Sequence, residues 1–365
     1  MPNTIVILSA FLSPFRSGAE AMVEEVSSRL SQQYDITILT GRYSRNLPRE
    51  DTLPRSRVRI IRIGIGHPLD KYLFPLLAPL TVRTLKPAIV HAVLESYAGL
   101  ALAFTRLCYP RAKRILTLQS TNTTLLLGII HAAAEYLTAI STPLISRAMQ
   151  YGRKDVILIR NGVDTAHISA AVSAHARIED RVLFVGRLEP MKGVDTLLSA
   201  FSLMKASNSS LKTCHLRIVG SGSCRAALEE HAKKLGIASH VTFAGPMAPL
   251  AVYEEYAKAA VFCGLSRSEA LGNVFLEAQA AGCAVLATTV GGIPTIVSDG
   301  TTGLLVAPDD PQAAADALTR LLTDSALRRS LTEHAKAHVA AYDWSTITQQ
   351  YRDLYDQIIF TSPHS

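Results

Sequence analysis

Short apolar runs alternate with longer segments of helical periodicity along almost the whole chain. The first run, residues 4–11 (TIVILSAF), is rich in β-branched residues and predicts a buried strand. A loop with Pro14 and Gly18 follows, and apolar positions at Ala21, Met22, Val26 and Leu30 predict a helix from Ala19 to about Leu30. Further strands are predicted at 35–40, 58–63, 87–93, 114–119 and 156–159, with helical stretches between them. The series then restarts with strands at 181–186, 215–220, 241–245, 260–265 and 284–289. Helices are predicted in its gaps at about 193–206, 223–235, 249–258, 273–281 and 311–323. Strands that are apolar throughout must be covered on both faces, so the fold class is α/β with parallel sheets. The pattern predicts two Rossmann-like, doubly wound parallel-sheet domains, 1–166 and 167–343, facing a central cleft. Residues 167–180 have weak periodicity and read as a linker, and the amphipathic stretch 344–359 predicts a final helix within a closing segment 344–365. Ligands in such sheets bind beyond the carboxyl ends of the strands, so the chemistry is expected on the loops that follow them.

The chain has 365 residues, enough for two domains with a core each. At 48% hydrophobic and 18% charged residues it is not a disordered chain. No apolar run reaches the ~18–20 residues of a membrane span, and the N-terminus lacks a signal peptide's basic start and cleavage site. The expectation is a cytoplasmic protein. Five cysteines without a C-x-x-C pair read as buried, reduced thiols. The net charge is +7 and unevenly placed: residues 1–166 carry 20 Lys and Arg against 11 Asp and Glu, the remainder 17 against 19. That basic first half is either a solvated surface or a face toward an anionic partner, such as a phospholipid head group or a phosphorylated acceptor. Nucleic acid is not expected, because aromatics are not interleaved with the basic residues and no binding motif occurs.

The strongest chemical signal is SEALGNVFLEAQAAG, residues 268–282. Gly272 breaks what precedes it, Asn273 is a fair N-cap, and Gly282 stops the helix. Glu269 then lies in the loop, and Glu277 lies in the helix in an apolar setting with Val274, Phe275 and Leu276. A helix N-terminus attracts phosphate, whereas carboxylates accept hydrogen bonds from sugar hydroxyls, and a sugar joined to a ribose through a diphosphate needs both. A local pairing of Glu277 on a buried helix is the alternative. The second signal is VLFVGRLEPMKGVDTLLSAF, residues 182–201. Its strand ends at Gly186, and Arg187 and Lys192 flank a turn in a way that suits two phosphates. A solvated loop is the alternative there. Gly18 and the Gly220-Ser221-Gly222 turn are weak signals, and no dinucleotide fingerprint follows the first strand. No D-x-D, H-E-x-x-H, Walker A or G-x-S-x-G segment occurs, so no metal site is expected. A lone histidine such as His91 is by itself more often a satisfied core residue than a catalyst.

Taken together, these segments resemble glycosyltransferase family 4, the retaining enzymes of GT-B fold. The family's E-x7-E pattern matches Glu269 to Glu277, and its G-R-L-x-x-x-K-G segment matches residues 186–193. Its N-G-V-D segment is 161–164, and its G-G-x-P and G-x-L-V segments are 291–294 and 303–306. The resemblance extends to the 344–355 stretch, which in such enzymes crosses back onto the first domain. It implies that Arg187 and Lys192, after Gly186, bind the donor diphosphate and stabilise it as it leaves. Glu277 would take the ribose hydroxyls and Glu269 those of the transferred sugar. Leu271, Gly272, Asn273 and Val274 would line the site, and Gly18 would bring first-domain backbone to the phosphates. The base would lie near Gly245 and Met247. His91, Gln119 and Asn161 are assigned to the acceptor or sugar side. No cofactor is implied beyond a UDP-sugar or GDP-sugar co-substrate. The implied reaction moves a hexose-type sugar with retention, through a short-lived oxocarbenium-like species. The leaving phosphate takes the acceptor's proton. The basic first half, for its part, suggests an anionic or membrane-associated acceptor, such as a glycan, lipid-linked or cell-envelope precursor, and with it a peripheral place on the cytoplasmic membrane face.

Two features depart from the family pattern. Many relatives carry a histidine where this chain has Gln119, which can hydrogen-bond but not carry charge. The segment 120–138 also looks shorter than usual. Two other readings stay open: a catalytically weak nucleotide-sugar-binding partner subunit, and a GT-B-like epimerase or phosphorylase.

Overall fold

The computed structural model describes residues 4–13, 17–122 and 126–360. Pro14 of the first loop, and residues 123–125 of the segment that looks short, lie outside the described residues. The chain divides into two compact units, Met1–Gly162 with Trp344–Ser365, and Val163–Asp343.

The first unit runs β1 (Thr4–Leu8), α1 (Gly18–Leu30), β2 (Asp35–Gly41), β3 (Glu50–Thr52), β4 (Arg59–Ile63), α2 (Asp70–Leu85) and β5 (Ile89–Val93). It continues with α3 (Tyr97–Cys108), β6 (Lys113–Leu118), α4 (Leu127–Ala133), β7 (Tyr136–Ala139), α5 (Thr142–Gln150) and β8 (Val156–Leu158). The sheet order is β3-β4-β2-β1-β5-β6-β7-β8, parallel except for the antiparallel edge strand β3. β1 and β5 are buried almost without exception, as continuous apolar strands between two helical layers must be.

The second unit begins with α6 (Thr165–Ala174), β9 (Ile178–Val185), α7 (Val194–Ser207), β10 (His215–Val219), α8 (Arg225–Lys234) and β11 (Val241–Gly245). Then come α9 (Pro249–Lys258), β12 (Ala259–Gly264), α10 (Asn273–Ala280), β13 (Ala284–Thr288), β14 (Leu304–Val306), α11 (Pro311–Thr323) and α12 (Ser325–Val339). Its sheet, β11-β10-β9-β12-β13-β14, is parallel throughout. The last helix, α13 (Trp344–Phe360), belongs to the first unit. Its Trp344, Ile347, Tyr351, Leu354 and Ile358 join Val23, Val26 and Leu30 of α1 in one buried cluster.

The segment expected as a linker, 167–180, is instead most of α6 and the start of β9. Asp164 caps α6 by accepting the His167 N–H at 3.2 Å, and Ile168 is its one fully buried side chain, too little for a periodic stripe. The seam between the units accordingly falls at Gly162 and Val163 rather than inside that helix. All five cysteines are free, but Cys108 and Cys224 are only half-buried. No helix among the described residues is long and apolar enough to cross a membrane.

Candidate active site

In the second sheet the chain passes from β9 to β10 and β11 on one side, then to β12, β13 and β14 on the other. Strand order reverses between β9 and β12, and the crevice beyond such a switch point is where open parallel sheets bind ligands. The loops leaving these two strands carry Lys192 and Glu269, whose Nζ and Oε2 lie 2.5 Å apart. Each side chain keeps 15% exposure, so the pair is shielded yet reachable.

Backbone packing fixes this pair. The Arg267 N–H donates to the Met191 carbonyl at 2.8 Å, tying one loop to the other. Gly193, at φ +62°, runs so close to the second loop that a Cβ would stand 1.9 Å from the Leu265 carbonyl oxygen. Gly291, at φ +54°, approaches the Glu269 carbonyl oxygen equally closely, and the Gly292 N–H donates to that oxygen at 3.0 Å. The Arg267 guanidinium forks onto Asp195 at 2.9 and 2.7 Å and reaches Asp309 at 2.7 Å. Those hydrogen bonds push its pKa above the ordinary arginine value. Gly220 and Gly222 have a comparable packing role, since a Cβ on either would meet the carbonyl of Gly186 or Leu188.

Arg187 is exposed, with Nη2 3.9 Å from Met191 Sδ, and it forms no salt bridge among the described residues. Glu189 beside it accepts the Ser223 N–H at 3.0 Å and hydroxyl at 2.7 Å, which holds its carboxyl below the usual range. Gly272, in the left-handed region, occupies the N-cap of α10, so Asn273 is the first helical residue rather than the cap. Leu271 is buried and Val274 half-buried at this turn. Glu277 is half-buried within α10 and accepts the Tyr256 hydroxyl at 2.9 Å. Tyr256 is fully buried on α9, and burial together with Glu277 pushes its pKa well up. Gly245 closes β11, two strands from β9, and Met247 follows half-buried in the next loop.

In the first unit Gly18 opens α1, whose N-cap Ser17 and third residue Glu20 form a capping box. Gln119 and Asn161 do come together: Asn161 Nδ2 donates to Gln119 Oε1 at 3.0 Å. The Gln119 N–H donates to Glu95 at 3.2 Å, and Glu95 is ion-paired with Arg147. Burial raises the Glu95 pKa against the pull of Arg147. His91 does not join this group. It is wholly buried in mid-strand, with Nδ1 2.7 Å from the Tyr355 hydroxyl and Nε2 2.6 Å from Thr117 Oγ1. Burial lowers its pKa to about 3, so it is a neutral core residue that ties α13 to the sheet.

Four residues of this geometry were not found from the sequence: Tyr256, Arg267, Glu95 and Arg147. Their partners lie 21 to 72 residues away, beyond the reach of local spacing. A cavity of about 730 Å³ opens beside the pair, lined by Asp195, Ser199, Leu228, His231 and Arg267, but neither Lys192 nor Glu269 lines it. A fixed ammonium beside a fixed carboxylate can hold a phosphate oxygen and a hydroxyl side by side, because Lys192 has two N–H groups and Glu269 a second oxygen to spare.

Residues 16–167 match the family model described as Glycosyltransferase Family 4, and 169–338 match Glycosyl transferases group 1. The chain is 30% identical to a D-inositol 3-phosphate glycosyltransferase of Acidothermus cellulolyticus, over 97% of this chain and 90% of the relative. A Corynebacterium urealyticum protein of the same name is 40% identical over 47% of this chain and 42% of its own. Among solved structures, sucrose-phosphate synthase from Thermosynechococcus elongatus superposes with a TM-score of 0.87 at 22% identity, covering 99% and 100% of the two chains. Anabaena HepE in complex with UDP-glucose superposes with a TM-score of 0.79 at 18% identity, covering 97% and 100%.

Proposed function

The chain belongs to glycosyltransferase family 4 and has the GT-B fold, and from that premise we propose that it transfers a hexose-type sugar, with retention, from a UDP-sugar or GDP-sugar held at the Lys192–Glu269 switch point. The observation that carries this reading is the 2.5 Å pair itself, braced on both sides by glycines and by Arg267. Arg187 and Lys192 bind the diphosphate. Glu269 accepts hydroxyls of the transferred sugar, and Glu277, steadied by Tyr256, accepts those of the ribose. The backbone of 271–274 lines the sugar, Gly186 and Gly18 admit the phosphates, and the base lies toward Gly245 and Met247.

In this reaction the bond from the anomeric carbon to phosphate breaks and a bond to the acceptor oxygen forms on the same face. The acceptor's proton goes to the leaving phosphate. The cations are in place before charge develops on the leaving group, which is the main source of rate in such a site. No divalent ion takes part.

The acceptor is anionic: a phosphorylated polyol or a lipid-linked precursor presented at the membrane face. The relatives named for D-inositol 3-phosphate support a phosphorylated acceptor, as does the basic balance of residues 1–166. Gln119, hydrogen-bonded to Asn161, contacts the sugar from the acceptor side without contributing charge.

A thermal-shift screen with UDP, GDP, ADP and their sugar conjugates, in EDTA, tests the donor reading. One nucleotide should raise the melting temperature, and the rise should vanish in Lys192→Ala and Glu277→Ala. No shift with any nucleotide at millimolar concentration refutes it. A shift without turnover would favour the partner-subunit reading that Gln119 motivates.

A further inference from the structure

Helix α2 carries its apolar residues on both sides. Phe74, Ala78 and Val82 face inward and are fully buried. Leu69, Tyr72, Leu76 and Leu80, spaced by three and four residues, remain 54–57% exposed, and Leu77 and Ile65 extend the patch. This stripe runs about 17 Å along the helix at 1.5 Å per residue. Scattered exposed leucines are ordinary, but a contiguous stripe of this kind marks a surface that meets something apolar.

Charge identifies the occupant. Between Gly64 and Ala133 the sequence holds seven Lys and Arg and two acids, Asp70 and Glu95. Both acids are buried: Asp70 accepts the N–H groups of Gly66 and His67 at 2.8 and 3.2 Å, and Glu95 is paired with Arg147. Lys113 and Arg114 are taken up by Glu135. Lys71, Arg83, Lys86, Arg106 and Arg111 are left without a carboxylate partner among the described residues. Lys71 Nζ lies 5.1 Å from the Tyr72 ring centroid, at the edge of the stripe. Exposed leucines and a tyrosine on a helix that also carries Lys71 and Arg83, is capped by Lys86 and has no exposed acid of its own match an anionic bilayer surface: aliphatic side chains enter the headgroup boundary, Tyr sits at its level, and cations meet lipid phosphates. A symmetric pairing of two copies through the same stripe would set these cations against each other.

We propose that α2 is a membrane-docking helix that seats the first unit on anionic lipid through Leu69, Tyr72, Leu76 and Leu80, with Lys71, Arg83 and Lys86 on the phosphates. This deepens the acceptor reading by bringing the enzyme to a lipid-borne substrate. Its test needs neither donor nor acceptor, so its failure leaves the donor site standing.

The full-length protein is co-sedimented with phosphatidylcholine vesicles containing or lacking about 30% phosphatidylglycerol. It should pellet with the anionic vesicles and not with the neutral ones. Leu76→Gln with Leu80→Gln should weaken binding by at least about tenfold, and Arg83→Gln by about fivefold. Leu250→Gln, an exposed leucine of the second unit, should change nothing. All of these positions are exposed, so folding is checked simply by an unchanged melting temperature. In Leu76→Trp, the added indole should shift its emission to the blue on anionic vesicles; the native Trp344 is buried. Equal binding by wild type and the double-leucine variant, or no binding to anionic vesicles, overturns the proposal. So does a stable dimer in sedimentation equilibrium that Leu76→Gln with Leu80→Gln dissolves.

Discussion

Replacing Lys192 with methionine removes the ammonium and keeps most of the side-chain volume. Two separable losses follow. The first is structural: Glu269, with 15% exposure, loses its partner 2.5 Å away and is left a shielded carboxylate. Stranding a fully buried charge costs about 3–5 kcal/mol; the residual solvent access here reduces that to about 1–3 kcal/mol. In a unit of this size, that lowers the melting temperature by about 3–10 °C. The second loss is catalytic. Removing one preorganised group from the site where charge develops costs about 10²–10³ in kcat. A double-variant cycle separates the two. Adding Glu269→Gln to Lys192→Met removes the stranded charge and should recover most of the melting temperature, while turnover stays down by at least the same factor. Calorimetry and a donor-hydrolysis assay on the four proteins read both quantities. If Lys192→Met turns over within about fivefold of the wild type, the ammonium does not stabilise the leaving group. If the stability loss persists in the double variant, the ion pair was not its origin.

Gly291→Ala should displace the Glu269 loop, because its Cβ would stand 1.9 Å from a carbonyl at positive φ; kcat should fall tenfold or more, read in the same assay. Tyr256→Phe removes the hydroxyl that steadies Glu277 and should raise the donor KM by about three- to tenfold with kcat nearly unchanged, as steady-state kinetics would resolve. His91, buried with its pKa lowered from 6.5 to about 3, binds its proton more readily in the unfolded chain. Its stabilising contribution is therefore complete above pH 6.5 and is lost as pH falls through the window down to 3. Between pH 7 and 5 this amounts to about 2 kcal/mol, which should disappear from the pH dependence of urea unfolding in His91→Gln.

Much of the fold was legible because the central strands are apolar end to end. TIVIL and AVFCG cannot be anything but interior in a chain of this composition. What escaped the sequence reading carries little apolar signal. β3 is three exposed residues at a sheet edge, and α6 has a single fully buried side chain. β7 hides in a segment whose strand is only four residues long. In the site, Lys192 and Glu269 stood out because each lies where a strand gives way to a glycine-bounded turn. That the two residues touch, and that Gly291 sets the position of Glu269, depends on three loops meeting across the sheet. The burial of His91 matches what a lone histidine most often does, but Tyr355, the partner that satisfies it, lies 264 residues away and no local pattern points to it.

The placement of the donor at Lys192 and Glu269 is tested most directly by hydrogen exchange of the whole protein with and without the nucleotide that stabilises it. Slowed exchange is expected in residues 186–193 and 266–274, the two loops that hold Lys192 and Glu269. Protection confined to α7 and α8, around Ser199, Leu228 and His231, would put the nucleotide in the neighbouring 730 Å³ cavity and contradict the assignment.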